Sequence, residues 1–144
     1  MTTAIVNVIT IITSFFALYF GIQSYRNAKF AIIKDFFNQG DSSEQKGYRE
    51  LVYSIYNDTD DPETIHSKLN SISNTVARIV SFYDFWSLMV EKKHLPKWVF
   101  KGMPGKTAVN IFCKIKPYLD NRRQTESEYA QQFEKLIHII KQQQ

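Results

Sequence analysis

The first charged side chain in this chain is Arg26, so the 25 residues from Met1 to Tyr25 carry no ionisable group apart from tyrosine phenols and the N-terminus. Within them Ala4 to Ile22, AIVNVITIITSFFALYFGI, has the length that a helix rising about 1.5 Å per residue needs to cross a hydrocarbon layer of about 30 Å. Tyr19, Tyr25, Arg26 and Lys29 at its end suit an interfacial anchor. A cleaved signal peptide is disfavoured, because no basic residue opens the chain and the run ends in Tyr-Phe-Gly-Ile-Gln rather than small residues. A buried helix of a soluble domain is disfavoured too, because no compensating polar face exists over five turns. Arg26, Lys29 and Lys34 follow the run and no cation precedes it. The expectation is a single transmembrane helix with the N-terminus outside and the remainder cytoplasmic.

The polar interruptions of this run are ordered. Thr3, Asn7, Thr10, Ser14, Ala17, Gly21 and Ser24 follow at alternating steps of four and three, and Ala28 and Ala31 continue them. They share one stripe of a helix. Asn7, Thr10, Ser14, Ala17 and Gly21 are therefore candidates for membrane-helix association, small residues allowing close approach and Asn7 needing a partner for its amide. The alternative is that the hydroxyls bond back to their own helix carbonyls.

All 18 Lys+Arg and all 14 Asp+Glu lie from residue 26 onward, leaving enough chain for one small domain. The single Cys113 excludes an intramolecular disulfide. The first helix continues through RNAKFAIIKDFF and should stop near Asn38-Gln39-Gly40. Asp41 and Glu44 have capping-box spacing for a helix through Tyr56. Asp61 as N-cap and Pro62 at the first position start a helix whose apolar residues, from Ile65 to Val90, recur at three and four as far as Lys93. A short helix over Pro96 to Lys101 leads to Gly102-Met103-Pro104-Gly105, then to a helix over Lys106 to Arg123, bent or interrupted at Pro117. Thr125 and Glu128 suit a capping box for a last helix. No stretch alternates as a strand. The fold class is all-α, divided as a transmembrane helix at 1–25, its cytoplasmic continuation at 26–40 and a helical bundle at 41–144.

These segments, RNAKFAIIKDFF after a membrane helix, then ARIVSFYDFWSLMVEKKHLP, then TAVNIFCKIKPYLDNRR, resemble a bacterial family catalogued as domain of unknown function 4760. Its members are small proteins with one N-terminal membrane helix and a helical remainder. The likeness runs from about Arg26 to Ile140. It implies architecture and a bacterial inner-membrane location but no activity; the family's usual acidic residue after paired aromatics matches Asp84.

Candidate sites are few. Gly102 to Thr107 lacks the spacing of a phosphate loop, and Pro104 removes an amide that such a loop needs. His66, His94 and His138 have no helical ligand spacing, so no metal or cofactor is expected. Cys113, beside Phe112 and Ile115, suits a buried small hydrophobe. Asp84 is the candidate buried carboxylate, paired with a cation such as Arg78 or Lys114. Charge carries more: Lys92, Lys93, Lys97, Lys101, Lys106, Lys114, Lys116, Arg122 and Arg123 face one acid, Asp120, whereas Asp41 to Glu91 holds nine acids and four bases. Such a basic surface, with Trp98 and Phe100 as interfacial aromatics, suits anionic lipid headgroups, pairing with the acidic half, or, less well, nucleic acid. The function expected is a non-enzymatic, membrane-anchored helical interaction module, a scaffold, sensor or regulator acting as a homo-oligomer or as a subunit of a membrane complex. The alternative is a tethered effector that perturbs the bilayer or binds nucleic acid through 92–123.

Overall fold

The computed structural model describes residues 2–143 apart from Asp58, with the side chains of residues 2–6 and 8 outside the description. Among the described residues the chain is all-α: α1 (Thr2–Gly40), α2 (Ser43–Ile55), α3 (Pro62–Ser71), α4 (Ser73–Glu91), a 3-10 turn (Lys97–Phe100), α5 (Met103–Arg122) and α6 (Gln131–Lys141).

The expected span over Ala4 to Ile22 is corrected. Among the described residues no helix is long and apolar enough to cross a membrane. The stretch with described side chains that is free of charged and amide residues runs from Ile9 to Ile22, between Asn7 and Gln23, and Thr10, Thr13 and Ser14 lower its apolar character further. At about 1.5 Å per residue it reaches about 21 Å, short of a hydrocarbon layer of about 30 Å. The longer expectation drew on Ala4, Ile5, Val6 and Val8, whose side chains lie outside the described residues. With the span go the single-pass topology, the inner-membrane location and the membrane and lipid partners argued from it.

In the bundle α4 packs on α6, α2 and α3, while α5 packs on α6, α3 and α2. The α4 residues Val76, Ile79, Val80, Tyr83, Trp86 and Val90 are all buried and lie on one face, which meets α2 and α6. Trp86 is the largest fully buried side chain, and its indole N–H finds no acceptor among the described residues, so packing holds it. Phe133 of α6 stacks on Tyr83 with ring centroids 4.3 Å apart and meets the Phe112 ring of α5 edge-on at 5.0 Å. Burying such rings stabilises by roughly 2–3 kcal/mol each. α1 joins this core through Phe36, which packs on Phe82, Trp86 and Phe100.

Several boundaries differ from the sequence expectation. Ser42, not Asp41, caps α2, its hydroxyl accepting from the Gln45 amide at 3.2 Å. Asp61 caps α3 as expected, Oδ1 accepting from the amides of Glu63 at 3.0 Å and Thr64 at 2.9 Å. The helix expected from Pro62 to Lys93 is two helices, broken at Ile72, whose φ of -113° and ψ of 29° leave the helical region. Apolar spacing continues across this break, which is why periodicity concealed it. α5 starts at Met103 rather than Lys106 and runs through Pro117. Gly105 lies inside its first turn, where an added Cβ would sit 2.0 Å from the Phe100 carbonyl oxygen. Only glycine allows that approach. The capping box at Thr125 and Glu128 does not form, because the Thr125 hydroxyl donates to the Arg122 carbonyl at 3.0 Å instead.

Candidate functional site

The most exposed apolar surface belongs to α1. Ile9, Ile11, Phe15, Leu18, Phe20 and Ile22 are each more than half exposed, and Tyr25 and Phe30 extend the surface toward the bundle. The helix enters the core only at Phe36, with Ile32 and Ile33 partly buried beside it. At 39 residues it is about 58 Å long, so most of it projects as an arm. The stripe residues Asn7, Thr10, Ser14, Ala17 and Gly21 are exposed along it. Ser14 donates to the Thr10 carbonyl at 2.8 Å, and Thr13 donates to the Ile9 carbonyl at 3.0 Å. Both hydroxyls thus bond to their own helix. A Cβ at Gly21 would meet nothing.

The basic segment divides in two. Four of its cations are engaged within the chain. Lys114 lies 3.6 Å from the centre of the Tyr56 ring, and Lys116 pairs with Asp120. Arg122 pairs with Glu126 at 2.8 Å. Arg123 pairs with Glu134 at 2.9 Å and donates to the Tyr129 carbonyl at 2.8 Å. Lys92, Lys93, Lys97, Lys101 and Lys106 are exposed around the end of α4, the 3-10 turn and the start of α5. Trp98 is exposed beside them, but Phe100 is buried against Phe36 and is no interfacial residue. Its burial follows from the 3-10 turn, which rotates Val99 and Phe100 inward and leaves Trp98 outside.

Asp84 is half-buried and pairs with neither Arg78 nor Lys114. Its Oδ1 accepts from the Phe133 amide at 2.6 Å, in the first turn of α6. That helix begins after Ala130, whose φ of 58° is left-handed and whose side chain cannot cap. Asp84 supplies the missing acceptor from another helix. Burial raises its pKa above the ordinary carboxylate value, while the Phe133 amide and the Arg123 guanidinium oppose that rise. The carboxylate is a structural cap.

Cys113 is exposed rather than buried, in an open groove between α3 and α5 that Glu63, His66, Lys116 and Asn121 also line. The Asn121 amide nitrogen contacts His66 Nε2, and the His66 ring stacks near Tyr118. His94 and His138 are exposed elsewhere. Among the described residues no group of three or more His, Cys, Asp and Glu side chains is placed to hold a metal ion.

These features define a helical bundle with a projecting apolar arm and no assembled catalytic constellation among the described residues. The model of the family described as Domain of unknown function (DUF4760) matches residues 4–138, and the chain belongs to that family. The resemblance in the sequence is thereby established as membership, while the membrane helix attached to it is not supported by the described residues. No curated protein and no solved structure matches the chain.

Proposed function

We propose that this protein is a non-catalytic helical interaction module that assembles with further copies of itself through α1. The observation that carries this reading is the exposure of large apolar side chains from Ile9 to Phe30. A helix that exposes so many large apolar side chains and no charged face from Ile9 to Tyr25 is covered in its working state, and patches of this size mark contact surfaces. Further copies of the same helix suit it for a geometric reason. Ile11, Phe15, Leu18, Ile22 and Tyr25 recur at steps of four and three, the spacing of a heptad seam. The small-residue stripe runs beside it with the same spacing, offset by one residue, so each helix offers two adjacent seams. Two seams favour an assembly of more than two helices. Burying the large seam alone covers on the order of 500 Å² of each chain, and the second brings the contact toward the roughly 800 Å² per partner of a stable interface.

Light scattering on the full chain, from micromolar to submillimolar concentration, tests this. Wild type should be oligomeric, whereas Phe15→Glu with Leu18→Glu should be monomeric with the circular dichroism of a folded bundle. A monomeric wild type across the range overturns the proposal.

A further inference from the structure

Where α1 meets the bundle, its last turns, α2, α4 and the start of α5 line a half-open cavity of about 280 Å³. Phe36, Phe82, Met103 and Pro104 give it apolar walls. A cavity of about 150 Å³ accepts benzene, so this one has room for roughly ten heavy atoms. Two polar groups converge on it. Arg49 of α2 donates to the Gly40 carbonyl at 2.8 Å and has no carboxylate within ion-pair distance among the described residues. Tyr83 of α4 is buried beside that guanidinium, and desolvation pushes its phenol up to about 12, so it remains an O–H donor. Asp41 also lines the cavity, but its charge is directed to Lys46 at 3.6 Å. The start of α5 contributes Met103, Pro104 and Thr107, with no side-chain cap on its first-turn amides. A helix N-terminus favours negative charge.

We infer that this cavity is a binding site for a small organic monocarboxylate with a compact apolar body, held through Arg49 and Tyr83. A guanidinium with no ion-pair partner keeps donors beyond those given to Gly40 and Tyr83 for a carboxylate, and the aromatic walls accept a ring or branched chain. A dianion is a poorer fit, since one cation stands in the cavity and Asp41 borders it. The site stands apart from the contact surface of α1, so its occupancy does not depend on self-association.

The test uses the full chain with benzoate and its neutral isostere benzamide, read by ligand-detected NMR. Benzoate should bind at least about tenfold more tightly than benzamide, the difference reflecting the charge-assisted contact. R49M should lose that preference. Because Arg49 also holds the Gly40 carbonyl, M103E provides a second variant. Met103 is 73% exposed at the cavity rim, so a carboxylate there should repel benzoate without disturbing the core. Equal affinity for benzoate and benzamide overturns the inference. So does unchanged benzoate binding in folded M103E, or no detectable benzoate binding to wild type at millimolar concentration.

Discussion

Asp84→Ala removes a cap that comes from a different helix, and its cost follows from the geometry around Phe133. The Phe133 amide loses its 2.6 Å acceptor, and Ala130 has no side chain to replace it. A lost cap or an unpaired buried donor each costs about 1–3 kcal/mol, and here one event causes both. The melting temperature should fall by roughly 3–10 °C in a chain of this size, measured by circular dichroism at 222 nm. Asp84→Asn keeps an acceptor oxygen and should stay close to wild type. Comparing wild type with that variant isolates the carboxyl titration. Its folded pKa is raised, so between the unfolded value of about 3.9 and the folded value the native state retains a proton that the unfolded chain has released. Stability from this group is therefore present at low pH and lost as pH rises through that window, and D84N should gain on wild type as pH rises above about 4 through the raised folded value. A D84A variant that melts with wild type would show that Asp84 is no cap. A D84N variant that loses ground as pH rises would show instead that the charge is favourable in the folded state.

Gly105→Ala forces a Cβ to 2.0 Å from the Phe100 carbonyl and should cost about 3 kcal/mol or prevent folding, read as the urea midpoint. Phe36→Ala removes the ring that ties α1 to Phe82, Trp86 and Phe100 and should cost about 3–5 kcal/mol, with faster proteolysis between Lys34 and Gly40. Asp61→Ala removes the α3 cap and should lower the melting temperature at neutral pH. Hydrogen bonds from Thr64 hold the Asp61 carboxyl below its ordinary value, so that deficit should shrink as acid protonates the wild-type group. Gly21→Leu meets no neighbour within the chain and has the better helix propensity, so the monomer's melting should not fall, while light scattering shows altered oligomer size.

Local signals were legible where one short segment determines the outcome. Asp61 and Pro62 announce α3 because the cap and its amides lie within three residues. The apolar character of α1 is equally plain, although its continuous described stretch is too short for the span inferred from it. The α3 to α4 break was hidden because Ile65, Leu69, Val76 and Ile79 all face the same core on both sides of Ile72. The start of α6 was missed because its cap, Asp84, lies 49 residues upstream, and no local pattern encodes that contact. Arg49 and Tyr83 escaped notice for the same reason: each looks ordinary in its own helix, and only tertiary packing brings them to one cavity. The basic segment was legible as a cluster of charge, but the pairing of Arg123 with Glu134 depends on where α6 folds back.

The attachment of α1 to the bundle through its last turns alone, from Ile32 to Gly40, gives the molecule mechanical gain. From Phe36 to Asn7 the helix extends about 44 Å, so a tilt of about 10° at its base displaces Asn7 by about 8 Å. The aromatic cluster around Phe36 thus acts as a fulcrum: a shift of one ring there becomes a sweep longer than a helical turn at the far end.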